Sequence, residues 1–319
     1  ISYIVARSCW TRVRFSMGKI DSAGGATTVH RPVQDSLNYV NRVFQDFVTY
    51  GNLTPEIVQG RRYVEFGPGD NVGVALRFLA WGAREALCLD KYFPPHDTER
   101  ERQLYIKLRE QMSPAERRNF DTAVSLENKL QFNEDKIRYL YGKGAEDADE
   151  AVELRSCDLV VSRAVLQGVD NEKTFAAIDR ILAPGGITLH KADLRDHGMF
   201  SGNGYHPLEF LTVSDLVYGW MTHGTDRPNR CHIDYYRRKL EQYGFQYRIY
   251  RSGLIRRGYV PVDEEIVPHK QEWQAGVDYD ESYVRLIEEI RPRLRAPYRF
   301  LSDADLLTSG IFICATRPA

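Results

Sequence analysis

A chain of 319 residues, 43% hydrophobic and 12% aromatic, can bury a substantial core and still carry insertions on it. Its 43 Lys and Arg nearly match its 44 Asp and Glu, and a formal net charge of -1 provides no global basic field for a nucleic-acid partner. The five cysteines (Cys9, Cys88, Cys157, Cys231, Cys314) are scattered without C-x-x-C spacing, which argues against a disulfide framework or zinc site and for a reduced, cytoplasmic setting; no run is long and apolar enough to cross a membrane.

The opening stretch to Lys19 mixes aliphatic and aromatic residues with Arg7, Arg12 and Arg14. It reads as a strand or helix docked on the domain, with a membrane-surface helix as the alternative. Residues 20–32, rich in Gly, Ala and Thr, read as a loop. Asp35 then caps a helix whose Leu37, Val40, Phe44, Phe47 and Val48 share one face, ending at Gly51. Residues 1–59 thus form a helical N-terminal cap, and residues 60–319 the main domain.

That domain opens with a strand over 61–65, a helix over 72–81 and a strand over 86–90. Residues 93–134 are long and charged, with a capping-box start at Ser113-Pro114-Ala115-Glu116, and read as a helical insertion of one or two helices. A third strand follows over 137–141 and a fourth over 157–162, the latter nearly all apolar, as a buried parallel strand should be. Asp170 or Asn171 caps a helix bearing Phe175, Ile178, Ile181 and Leu182, which Ala183-Pro184-Gly185-Gly186 ends before strand five at 187–190. Residues 198–236 read as a substrate lid inserted after strand five, before a helix over 233–243, and 310–315 supply a last strand. The fold class expected is α/β: a Rossmann-like, doubly wound, mostly parallel seven-stranded sheet with a helical N-terminal cap and an insertion after strand five.

The most informative run is Val64-Glu65-Phe66-Gly67-Pro68-Gly69-Asp70, followed one helix later by Leu87-Cys88-Leu89-Asp90. A strand, a glycine turn, a helix and a second strand ending in a carboxylate place an acid beside the ribose of a nucleoside cofactor. The helix would aim its free N–H groups at that ligand. A dinucleotide fingerprint wants G-x-G-x-x-G, but here the third glycine, Gly73, comes one position late. Glu65 before the turn would repel a pyrophosphate, yet it suits a ligand carrying an ammonium or sulfonium.

The E-F-G-P-G-D run, Asp90, the fourth-strand run 158–169 and the Leu-Ala-Pro-Gly-Gly turn at 182–186 together resemble class I S-adenosylmethionine-dependent methyltransferases of the small-molecule or glycan type. The resemblance implies S-adenosylmethionine as cofactor. Glu65, Gly67, Pro68 and Gly69 would lie along its methionine part, Asp90 at the ribose, Glu146 near the adenine, and Ser162 and Arg163 at the border of the reaction site, with Lys91 a further cofactor-binding candidate. One departure matters: where related sequences often place a histidine in a V-L-x-H run, this chain has Val165-Leu166-Gln167-Gly168.

Strand five delivers His190-Lys191-Ala192-Asp193-Leu194-Arg195-Asp196-His197 to its carboxyl end, the densest His and Asp stretch in the chain. His197, oriented by Asp193 or Asp196, is the candidate general base for a hydroxyl acceptor. Asp193 and Asp196 could instead hold a divalent metal, although their spacing fixes no site. His190, Tyr205 and Arg230 are candidate acceptor-binding residues, with Tyr218 and Trp220 as further stacking surfaces. The competing view makes 198–236 a segment packed by its own aromatics, with Arg230 paired to an acid.

The expected activity is methyl transfer to a small-molecule or glycan acceptor, most simply at oxygen, with self-association left open. An NAD-dependent oxidoreductase and a non-catalytic scaffold are the alternatives.

Overall fold

The computed structural model describes residues 2–16, 28–94, 96–222, 224–225, 227–257 and 273–319; most of the loop expected over 20–32 therefore lies outside the described residues. Seven strands form one sheet: β1 (Arg62–Phe66), β2 (Glu85–Asp90), β3 (Ile137–Tyr141), β4 (Cys157–Arg163), β5 (Leu182–Asp193), β6 (Gln246–Leu254) and β7 (Thr308–Thr316). Their order is β3-β2-β1-β4-β5-β7-β6. β1 pairs in parallel with β2 and with β4, and β2 with β3. β7 runs antiparallel to β5, because the Leu194 amide donates to Ser309 O while the Arg317 amide donates to Gly186 O. The sheet is Rossmann-like and mostly parallel, as expected. Its order reverses between β1 and β4, and the register lines up Phe66, Leu89 and Ser162 at one edge, where ligands of open α/β sheets bind.

Packing sorts the chain into two compact units: Ile1–Lys19, Leu166–Gly168 and Lys191–Ile313 form the first, and Ile20–Val165, Val169–His190 and Cys314–Ala319 the second. In the second unit, α2 (Val33–Gly51) turns the predicted stripe inward. Phe44 and Phe47 meet Phe78 of α3 (Gly73–Ala80) at ring-centroid distances of 5.0 and 6.5 Å, and Phe78 stacks on Tyr63 of β1 at 4.7 Å. Gly73, the late third glycine, serves this packing: a Cβ there would lie 2.8 Å from a Val40 methyl. Asp35 is not the cap of α2. Pro32 holds that position and Asp35 lies in the first turn, where its charge still suits the helix dipole.

The charged segment forms α4 (Thr98–Glu110), capped by Asp97, and α5 (Pro114–Ala123), whose Ser113/Glu116 capping box is formed. A short antiparallel pairing of 124–125 with 131–132 follows. Asp170 caps α6 (Asn171–Ile181) through the amides of Glu172 and Lys173. The Pro-Gly-Gly turn does not separate helix from strand as expected. β5 already begins at Leu182, because Gly185 and Gly186 pair with Arg317 near the end of the chain.

The first unit holds α1 (Ser2–Ser16), α7 (Asp215–Thr222), α8 (Ile233–Gln242) and α9 (Glu281–Ile290). It has its own core, including Phe200, Leu208, Phe210, Met221, Ile287 and Leu306. The region expected as a lid therefore buries an apolar interior, with Tyr218 donating its hydroxyl to Pro228 O at 2.8 Å.

Phe78 joins both layers of the second unit, so Phe78→Ala is expected to lower unfolding free energy by about 3–5 kcal/mol in urea titration.

Candidate functional site

The turn after β1 depends on two residues that lack a Cβ. Gly67 has φ +64° and donates its amide to Leu89 O at 2.8 Å, and a Cβ on it would lie 2.4 Å from a Val165 methyl. Gly69 has φ +77°; its amide donates to Asp90 Oδ2 at 3.2 Å, and its carbonyl accepts the Tyr139 hydroxyl at 2.8 Å. Pro68 stands half-buried between them. Buried Asp70 ties the turn to the preceding chain, accepting the amides of Thr28 at 2.6 Å and Val29 at 3.1 Å. Asp90 Oδ1 accepts the Tyr92 amide at 2.9 Å. Each Asp90 oxygen thus has one protein amide, and a carboxylate oxygen has a further lone pair for a ligand hydroxyl.

The helix N-terminus is arranged differently from the sequence expectation. The Val72 amide donates to the Tyr105 hydroxyl at 2.9 Å and the Gly73 amide to Asn71 Oδ1 at 3.0 Å. These donors are therefore spent inside the protein rather than offered to an anion. Glu65, buried in β1, accepts the Tyr63 hydroxyl at 2.9 Å. Burial pushes its carboxyl up to about 7, the Tyr63 hydrogen bond opposes this, and the charge of Asp90 adds to it. Asp90 is raised as well, by burial first, with the Tyr92 and Gly69 amides pulling it down. Two buried acids thus flank a turn without free anion-binding amides at Val72 or Gly73, a surface that a positively charged ligand would relieve.

The other expected cofactor residues bind one another or their neighbours. Lys91 Nζ lies 2.5 Å from Glu146 Oε1. Ser162 Oγ lies 2.7 Å from His190 Nδ1, and His190 Nε2 lies 2.6 Å from Thr188 Oγ1. Buried His190 is held far on the neutral side, near 3, by desolvation; both ring nitrogens are engaged, which corrects its expected place on an acceptor surface. Arg163 donates to Asp46 Oδ2 of α2 at 2.7 Å and lies over the Tyr39 ring.

Three residues here escaped sequence reasoning: Tyr139, Tyr105 and His96. His96 Nδ1 lies 2.7 Å from Glu101 Oε1, and its ring meets Phe93, Tyr139 and Tyr141 at 5.9–6.1 Å. The Glu101 hydrogen bond raises its pKa against burial. The only available signal was the alternation of Tyr139 and Tyr141 on β3, which placed both rings on one face.

In the first unit, Asp193 receives Arg195 on both oxygens, at 2.9 Å from Nε and 2.7 Å from Nη2, and His197 Nε2 lies 3.6 Å from Oδ2. Burial works to raise the Asp193 carboxyl, but hydrogen bonds and charge from His197 and Arg195 outweigh it and hold the group well below the usual carboxylate range. His197 adopts φ +48°, a left-handed backbone that sets its ring back toward Asp193. Asp196 does not orient His197. It is buried and accepts the amides of Gly198, Phe200 and Ser201 and the Ser201 hydroxyl, as the staple of its loop. Asp193 N donates to Gln167 Oε1 at 3.4 Å, which places Gln167 against the end of β5.

Arg230 is likewise committed internally: it pairs with Asp215, donates to Val213 O at 2.6 Å and lies over Tyr218 at 4.3 Å, as the competing view held. Tyr205 is exposed. Among the described residues, no group of three or more His, Cys, Asp or Glu could hold a metal ion.

No family model and no curated protein matches the chain. Among solved structures it is similar to phosphoethanolamine N-methyltransferase 2 of Haemonchus contortus in complex with S-adenosyl-L-methionine, at 15% identity and TM-score 0.44, over 87% of this chain and 53% of that one. The chain therefore spans about half the length of that enzyme. It is also similar to an S-adenosylmethionine-dependent methyltransferase of Mesorhizobium loti, at 15% identity and TM-score 0.40, over 87% of this chain and 100% of that one. A SAM-dependent methyltransferase of Thermotoga maritima shares 13% identity at TM-score 0.39, over 88% of this chain and 97% of that one. These three solved structures are methyltransferases by their descriptions.

Gly67→Ala forces a side chain into a left-handed turn already filled by Val165, and is expected to cost about 1–3 kcal/mol in chemical denaturation. Glu65 titrates higher folded than unfolded, so its burial penalises the fold increasingly as pH rises from about 4.5 to 7 and fully above that. Glu65→Gln should accordingly raise the melting temperature at pH 8 relative to wild type but not at pH 4, as read by calorimetry.

Proposed function

We propose that the chain is an S-adenosylmethionine-dependent methyltransferase acting on a small-molecule or glycan acceptor, with a hydroxyl as the acceptor group. The observation that carries this reading is the charge pattern of the turn after β1. Glu65 and Asp90 are buried carboxyls on either side of it, while the Val72 and Gly73 amides are already taken. A pyrophosphate would meet two acids without those two donors, so the pattern weighs against an NAD enzyme. A cation with a ribose suits it: Glu65 would face the ammonium, Gly67 to Gly69 would admit the ligand to the backbone, and Asp90 would accept from the ribose hydroxyls.

When bound, S-adenosylmethionine supplies an electrophilic methyl group on a sulfonium. The residues of the chain must hold an acceptor in line with it and take the acceptor's proton. β5 runs unbroken to Asp193, so the chain itself delivers the Asp193–His197 pair to the carboxyl end of that strand. Asp193, kept ionised by Arg195, orients the imidazole, and His197 receives the hydroxyl proton. Exposed Tyr205 offers a ring face for the acceptor.

Calorimetric titration with S-adenosylmethionine should show binding that Asp90→Ala weakens by about tenfold to a hundredfold, the scale of lost hydrogen bonds to a charged group. NADH binding in place of S-adenosylmethionine would overturn the reading. With binding established, His197→Ala should retain cofactor affinity and lose formation of S-adenosylhomocysteine across a panel of hydroxylated acceptors. An unimpaired rate would remove His197 from the mechanism.

A further inference from the structure

We infer that Arg163 is the carboxylate anchor of an amino-acid-bearing ligand, acting with Glu65 to grip a zwitterion at the turn after β1. The inference rests on the cofactor reading above and names the charged groups that would select the ligand's amino-acid end. Arg163 ends β4, and its side chain is only 7% exposed. A guanidinium has five N–H groups, and one that leaves water needs partners for them. Among the described residues this one makes a single hydrogen bond, from Nη1 to Asp46 Oδ2, and the Tyr39 ring centroid lies 5.5 Å away. Its Nε is buried without an acceptor. A buried arginine with most of its donors unused calls for an anion, and its planar fork matches a carboxylate.

Sheet geometry selects the anion. β1 and β4 run parallel with Glu65 opposite Val161, and side chains two residues apart on a strand point the same way. Glu65 and Arg163 therefore lie on one face, one strand over and one pleat on, about 8 Å apart at Cα. That face is the one under α2 and α3, since Tyr63 stacks on Phe78 of α3 and Arg163 bonds Asp46 of α2. Glu65 Oε2 accepts the Tyr63 hydroxyl, and Oε1 has no donor among the described residues. Acid and base thus share a face without bonding each other. Beyond Arg163 the chain passes through Ala164 at φ +55°, a left-handed conformation strained for a residue with a Cβ. It then sets a Val165 methyl against Gly67, which fixes the end of β4 beside the glycine turn. A phosphate or a dicarboxylate would suit Arg163 but meet Glu65. An α-amino acid carries ammonium and carboxylate on one carbon and answers both. In S-adenosylmethionine that group is the methionine end.

The test is calorimetric titration with two nucleosides: S-adenosylhomocysteine and its decarboxylated analogue, which keeps the adenine, ribose, sulfur and ammonium. The wild-type chain should prefer S-adenosylhomocysteine by about tenfold to a hundredfold, the scale of hydrogen bonds to a charged group. Arg163→Gln should erase that preference, binding the analogue as the wild type does and S-adenosylhomocysteine no better, with an unchanged circular dichroism spectrum. Arg163→Lys, which keeps the charge but not the fork, should restore part of the preference. Equal affinity of the wild type for the two ligands overturns the proposal whether or not the variants fold, and so does a preference that survives in Arg163→Gln. Both of those outcomes leave the cofactor reading standing. Binding of neither nucleoside removes that reading, and this proposal with it.

Discussion

Everything at the carboxyl edge of the second unit depends on one tight turn, held in a left-handed course by its neighbours. Gly67 and Gly69 can follow that course because they carry no Cβ, but freedom alone would leave the turn loose. It is fixed by hydrogen bonds from three directions: Leu89 O on the first glycine, the Asp90 carboxylate on the second, and the Tyr139 hydroxyl on the second glycine's carbonyl. The same contacts set Asp90, and the start of α3 just beyond is held by the Tyr105 hydroxyl and Asn71. Turn, acid and helix are therefore one mechanical object.

The second constraint is electrostatic. Glu65, Asp90 and Glu101 are buried carboxyls whose titration is raised by loss of water. Buried acids are tolerated when hydrogen bonds or opposite charge offset the loss. Here Tyr63, backbone amides and His96 do part of this, and Glu65 remains poised near neutrality. A cationic ligand would supply the missing compensation, so the tension of the free protein and the proposed ligand preference share one origin. In the first unit the balance is reversed. Asp193 is over-compensated by Arg195 and His197 and stays ionised, which suits an orienting group better than a proton acceptor.

Much of this was legible in the chain. The strand over 137–141, the Ser113 capping box, the Asp170 cap and the inward stripe of α2 depend on local spacing and on side chains bonding to nearby backbone, which short windows of sequence record. β6 was not anticipated, because Gln246, Arg248 and Arg251 give it the polarity of a loop, and an edge strand needs only one apolar side. The start of β5 was displaced for a related reason: its Pro-Gly-Gly stretch becomes sheet only by pairing with Arg317, far along the chain.

The sequence by itself determined the α/β class, the glycine turn and the acid at the end of the second strand, since backbone freedom and apolar periodicity are properties of neighbouring residues. Which polar side chains remain available was decided by the tertiary structure alone. His190, Asp196 and Arg230 all looked like site residues by type and position. Each is consumed by a partner that folding brings to it: Ser162 and Thr188, the amides of its own loop, and Asp215. A side chain's chemistry is written in its identity, but its availability depends on whether folding gives its polar atoms other partners, and that is a property of three-dimensional neighbours.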